Sequence, residues 1–185
     1  MVHSHSDLVI MGTKTSRLLD YARLEERLRR AEVNADLGLN NLNTPISLLG
    51  RFMLGEEEIR RFTADADINT DDHPVIEFRG PRSIGRDTRP ANLDNLTAYL
   101  ANTSRYVDFS GLPPASQQQA RAALDVSDRA RAHILKGLAH DYRNNLREAH
   151  EEYSAALALQ PSNTDVETLR RSVEARIRRE RGPLN

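Results

Sequence analysis

The sequence predicts a mainly helical protein with two short strands in its first half and a helical hairpin toward its C-terminus. Three observations carry that expectation. Of the 185 residues, 38% are hydrophobic and 29% charged, against the ~45–50% apolar content of an average domain. Such a chain buries a core most easily with helices that each hide one stripe and expose the rest. Apolar residues recur at three- and four-residue intervals through most of residues 92–181. Between Ala130 and Asn163, small and aromatic residues fall at fixed intervals along two adjoining helical patterns.

The polar stretch Met1–Ser6 precedes Leu8-Val9-Ile10-Met11, an apolar run stopped by Gly12. Its length and β-branching predict a buried strand. Asp20 is placed to cap a helix with Leu24, Leu28 and Ala31 on one face. Thr44-Pro45 is a second start signal, a cap followed by proline in the first turn, and it feeds Ile46, Leu48, Leu49 and Phe52. Gly55 precedes Glu56-Glu57-Glu58, acids suited to the positive end of a short helix ending near Phe62. Asn69 to Pro74 reads as a polar turn, and Val75-Ile76-Glu77-Phe78 as a second strand.

Residues 80–90 hold two Gly, two Pro and a single large apolar side chain, which is linker composition. The expected organisation is therefore 1–82, a linker at 83–91, connecting helices over 92–126 and a helical region over 127–185. Asn92–Ala101 carries Leu93, Leu96 and Leu100 at helical spacing. Gly111-Leu112-Pro113-Pro114 interrupts the pattern and Ser116–Leu124 resumes it. Three helices follow, from Ser127 to about Tyr142, Asn145 to Leu159, and Asn163 to about Arg181.

Composition excludes several function classes. The chain has no cysteine, so a disulfide framework, a zinc ribbon, a thiol nucleophile and a thiolate-held iron–sulfur cluster are ruled out. Apolar stretches of about four residues fall far short of the ~20 that cross a bilayer. A net charge of −1 gives no electrostatic case for nucleic acid or an anionic membrane. Lys14 and Lys136 are the only lysines, and the arginine excess reads as codon usage in a GC-rich genome rather than as a phosphate site. The expectation is a soluble, cytoplasmic chain that inserts in no membrane, binds no nucleic acid and carries no cofactor. His133, His140 and His150 lack the acid–histidine spacing of a metal site, and His3 and His5 belong to the polar N-terminal tail. No metal site is expected.

Within residues 130–163, Gly137 is followed by Ala149, Tyr153, Ala156 and Pro161. These intervals resemble a tetratricopeptide repeat, a helix–turn–helix of 34 residues. Small residues stand where two helices touch, the aromatic fills the gap beside them, and proline ends the second helix. His133, Lys136 and His140 depart from the repeat, standing where the family has Trp, Leu and Tyr. The resemblance implies a degenerate or terminal repeat and a protein partner.

The run Ile68 to Phe78, with Asn69-Thr70-Asp71-Asp72-His73-Pro74 at its centre and Gly80-Pro81-Arg82 after it, resembles the closing segment of bacterial spermidine-synthase-like proteins. More narrowly it is similar to the large members that carry a membrane-transporter-like domain first and often a tetratricopeptide tail last. Asp7 to Gly12 is similar to the penultimate strand of the same domain. The resemblance covers about residues 7–82. It implies the last two strands and helices of a Rossmann-like, methyltransferase-type sheet, with polyamine aminopropyl transfer as the activity of an intact, membrane-tethered parent. The family's Gly-rich donor loop has no counterpart, because the sequence contains no Gly-x-Gly, and the preceding acidic strands are not present either. Catalytic and cofactor-binding residues are therefore expected to be absent. Asp71, Asp72 and His73 remain the one polar cluster with conceivable chemistry, at the rim of an amine pocket where carboxylates pair with ammonium groups. The plainer reading of the same three residues is a turn that launches the next strand.

Two readings follow from the sequence. One is the C-terminal part of a spermidine-synthase-like protein with a repeat tail, Met1 then being an internal or misassigned start and the upstream synthase segment a partner. The other is a stand-alone helical interaction module.

Overall fold

A computed structural model describes residues 9–180; Asp7 and Leu8 of the expected first strand, His3, His5 and Arg181 lie outside them. In chain order the elements are β1 (Leu19–Asp20), α1 (Tyr21–Leu28), α2 (Ala31–Gly38), α3 (Pro45–Leu49), α4 (Glu56–Phe62) and α5 (Val75–Arg79). A 3-10 turn over Gly80–Ser83 leads to α6 (Arg89–Ala98), and a second over Thr103–Tyr106 leads to β2 (Val107–Asp108). Three helices finish the described chain: α7 (Pro114–Tyr142), α8 (Leu146–Leu159) and α9 (Thr164–Glu180). The protein is mainly helical, with one small two-stranded sheet among the described residues.

Local chemistry starts these helices. The Asp20 carboxylate accepts from the Arg23 N–H at 2.9 Å, capping α1. Thr44 and Ser47 form a reciprocal capping box around Pro45, the first residue of α3. At α4 the Glu58 carboxylate turns back to accept from the Gly55 N–H at 3.1 Å. Gly55 is required there by contact, since a Cβ would sit 2.0 Å from the Tyr106 ring.

The two expected strands are not formed. Val9, Ile10 and Met11 are irregular and more than four-fifths exposed, and Val75–Phe78 lies in helix α5 behind Pro74. A four-residue apolar run becomes a strand only beside a partner for its N–H and C=O groups. With no neighbouring strand, residues 75–79 satisfy those groups locally in a helical turn. The sheet is instead a two-residue parallel bridge, Leu19 opposite Val107 and Asp20 opposite Asp108. The expected break between Leu124 and Ser127 is also absent, and α7 runs unbroken through it. Ser127 is no cap. It is buried inside the helix, and its hydroxyl accepts from Gln160 at 3.3 Å.

Helix α7, about 43 Å long at 1.5 Å per residue, is the spine that both cores share. Its first half carries Ala120 and Leu124 against Tyr21, Leu49, Val107 and Phe109. Its second half carries Ile134, Leu135, Leu138 and Ala139 against α6, α8 and α9, around the fully buried Tyr153.

Candidate functional site

Asp71, Asp72 and His73 are exposed on the turn before α5. The turn is closed by backbone bonds in both directions between Thr70 and His73, at 3.2 and 3.1 Å, and by the Thr70 hydroxyl accepting from the His73 N–H at 3.0 Å. Asn69 does the launching: its side-chain oxygen accepts from the Ile76 N–H at 3.0 Å, where α5 begins. The three residues line neither of the two best-formed concavities. Among the described residues no group of three or more His, Asp or Glu side chains is placed to hold a metal ion.

The residues at repeat spacing are brought together. Gly137 on α7 faces Tyr153 on α8, so closely that a Cβ at 137 would lie 2.5 Å from the Tyr153 ring. Ala149 and Ala156 are buried on the same side of α8 as Tyr153, one turn before it and one turn after. Pro161 follows the α8 C-cap, Gln160, in the turn to α9. The α7–α8 turn is a Schellman motif built on Asn144 in the left-handed region, φ 61°. The Asn145 N–H bonds to the His140 carbonyl at 2.9 Å and the Asn144 N–H to that of Asp141 at 3.0 Å. Asn163 accepts from the Val166 N–H at 3.2 Å and starts α9.

Polar contacts hold the hairpin to its neighbours. His133 Nδ1 and Glu152 Oε2 lie 2.6 Å apart between α7 and α8. Arg176 of α9 pairs with Asp141 and donates to Asn144, and Arg143 pairs with Asp94 of α6. Lys136 is exposed. His140 is half-buried with a shielded, unpartnered Nδ1, and Tyr153 carries a buried hydroxyl without a partner. Burial pushes the Tyr153 phenol well above its ordinary range.

Two polar clusters were not foreseen. Arg131, 7% exposed, donates to the carbonyls of Gly50 and Ala101 at 3.3 and 3.1 Å and pairs with Asp128 at 3.0 Å. Asp128 in turn accepts from the Thr103 N–H and hydroxyl at 2.8 and 2.6 Å. Burial pulls the Arg131 guanidinium down, and Asp128 opposes it. The only signal in the sequence was an Asp-x-x-Arg on a face otherwise apolar, which reads as an ordinary surface pair. In the second cluster the Tyr106 hydroxyl donates to the buried Glu58 carboxylate at 2.5 Å, with Arg105 at 3.7 Å. Burial pushes Glu58 up, but the Tyr106 hydroxyl, backbone N–H groups and Arg105 outweigh it and hold the carboxyl below its ordinary value.

Beside that cluster is a cavity of about 380 Å³ lined by Glu56, Glu57, Arg60, Arg105 and Tyr106. Its charges neutralise one another, Arg60 on Glu56 at 2.8 Å and Arg105 on Glu57 at 2.6 Å. A second, of about 410 Å³, lies at the α7–α8 turn between Asn144–Glu148 and the end of α9. Neither cavity presents a nucleophile paired with a base. Comparison with family models, curated proteins and solved structures finds no match to this chain. No helix among the described residues is long and apolar enough to cross a membrane.

Proposed function

We propose that this chain is the C-terminal part of a spermidine-synthase-like protein, and that its own work is protein–protein interaction through a tetratricopeptide-like helical tail rather than aminopropyl transfer. One observation carries the reading: where apolar surface is left uncovered. All the exposed large hydrophobic side chains among the described residues, twelve of them, lie between Val9 and Ile84. From residue 85 to 180 there are none. Seven of the twelve, Val9, Ile10, Met11, Ile68, Ile76, Phe78 and Ile84, fall in or beside the two segments that resemble the closing strands of the synthase-like sheet. Apolar surface concentrated on those segments is what a domain completed by an upstream part of the protein would leave on the part that remains. The tail, by contrast, leaves no large apolar side chain exposed, its core around Tyr153 being closed by α7, α8 and α9 with Leu93 of α6.

The Asp71-Asp72-His73 turn lines neither of the two cavities described above and is closed by its own hydrogen bonds, which favours a turn over an amine-binding rim. A stand-alone interaction module is the second reading, favoured by the packing of α8 on both α7 and α9. Coexpression with a synthase-like upstream segment separates the two. The first reading predicts a soluble complex that transfers an aminopropyl group, whereas the chain alone neither binds decarboxylated S-adenosylmethionine nor transfers from it. Saturable binding of that donor by the chain alone, read by calorimetry, contradicts the proposal.

A further inference from the structure

The loop between α4 and the Gly80–Ser83 turn combines exposed apolar side chains with charge that is acidic apart from Arg79. Asp67 and Arg79 close it with an ion pair at 2.6 Å, and the Asn69 side chain is tied to the Ile76 N–H. It has the form of an Ω-loop, bonded mainly to itself. Ile68, Ile76 and Phe78 on it are 79%, 69% and 71% exposed. From Phe62 to Phe78 there are five acidic residues and no Lys or Arg. Asp67 is answered by Arg79; Asp65, Asp71, Asp72 and Glu77 take part in no ion pair among the described residues.

We propose that loop 67–79 is a docking surface for a partner segment with an apolar face and a basic rim, such as an amphipathic helix edged with Lys or Arg. The inference rests on the reading that the 9–84 surface is built to be covered, and it adds the chemistry of what covers it. Exposed isoleucine and phenylalanine supply the apolar contact, and the unpaired carboxylates select the sign of the rim. An anionic membrane is disfavoured by the same carboxylates. A second copy of this chain offers α9 as its most arginine-rich face, but Arg170, Arg171, Arg176 and Arg178 are already engaged with Glu167, Glu174 and Asp141.

The test uses the full chain and three labelled peptides of about 18 residues, amphipathic helices of leucine with lysine, glutamine or glutamate on the polar face. Fluorescence anisotropy should show saturable binding of the lysine peptide, at least about tenfold tighter than the glutamine peptide. Ile76→Ser with Phe78→Ser, and separately Asp71→Asn with Asp72→Asn, should each weaken it about tenfold without moving the melting temperature, because these side chains are exposed. Glu26→Gln with Glu151→Gln, exposed acids on α1 and α8, should leave it unchanged. Equal binding of the lysine and glutamine peptides would overturn the basic rim while sparing the covered-surface reading. Binding of none of the peptides would overturn both. Loss of binding in the Glu26/Glu151 variant as well, or self-association abolished by the Ile76/Phe78 variant, would also overturn the proposal.

Discussion

Adding one methyl group at Gly137 sets two physical effects of opposite sign against each other. In an unconstrained helix interior, Gly→Ala stabilises by ~1 kcal/mol, because alanine loses less backbone entropy on folding. At 137 the new Cβ would sit 2.5 Å from Tyr153 Cε1 and 2.7 Å from its Cδ1, against a favourable carbon–carbon separation of about 3.5–4.0 Å. The ring must therefore retreat by about 1 Å, and it has nowhere to go. Tyr153 is 0% exposed and flanked by Ala149 at 0% and Ala156 at 1%. Overpacking costs ~1–3 kcal/mol, and a rigid, enclosed ring puts this site near the upper end. Setting ~3 against ~1 leaves Gly137→Ala destabilising by about 2 kcal/mol, or about 4–8 °C in melting temperature for a chain of this size. Thermal melts by circular dichroism, with urea unfolding to check that the m-value is unchanged, measure it. Tyr153→Leu in the same chain should relieve much of the Gly137→Ala penalty, because it removes the ring that is struck. A melting temperature that stays level or rises in Gly137→Ala would refute the close α7–α8 approach on which the hairpin reading depends.

Tyr153→Phe should leave stability level or raise it by about 1 kcal/mol, since it removes a buried hydroxyl without a partner; a loss of similar size in a thermal melt would mean the hydroxyl is bonded. Arg131→Met should cost about 3 kcal/mol in urea unfolding, because the largely buried Asp128 loses its cation and two carbonyls lose a donor. Glu58 is held below its ordinary 4.5 in the folded chain, so the stability it contributes is present above about pH 4.5 and lost as pH falls through the folded value. Glu58→Gln should accordingly melt lower than wild type at neutral pH, with the gap closing in acid. A gap that stays constant across that range would remove Glu58 from the account.

Local chemistry carried further in the sequence than long-range pairing did. Asp20, Thr44-Pro45 and Gly55 with its acids each mark a helix start within three or four residues, and each stands at one. Helices α8 and α9 follow from apolar periodicity that no glycine or proline interrupts. The short apolar runs at 9–11 and 75–78 form no strand because β-branching describes what fits in a sheet, not whether a sheet is at hand. The parallel bridge of 19–20 with 107–108 leaves no pattern, being two residues long and joined across about half of the chain. The helix start expected at Ser127 is absent because its hydroxyl is used between helices, accepting from Gln160. The Arg131 cluster was hidden for a similar reason: its acceptors at 50, 101 and 128 meet only after three elements pack.

Amide hydrogen exchange of the full chain, followed by mass spectrometry, tests most directly the contrast between a self-covered tail and a first half built to be covered. Protection reports the local free energy of opening. Peptides spanning α7, α8 and α9 should exchange slowly, slowest around Ala149, Tyr153 and Ala156, which are buried to within 1%. Peptides covering 9–18 and 63–84 should exchange within the earliest time points, since these stretches expose Val9, Ile10, Met11, Ile68, Ile76 and Phe78 and carry few long-range contacts. Protection of 63–84 as strong as that of α8, in the chain alone, would contradict the account.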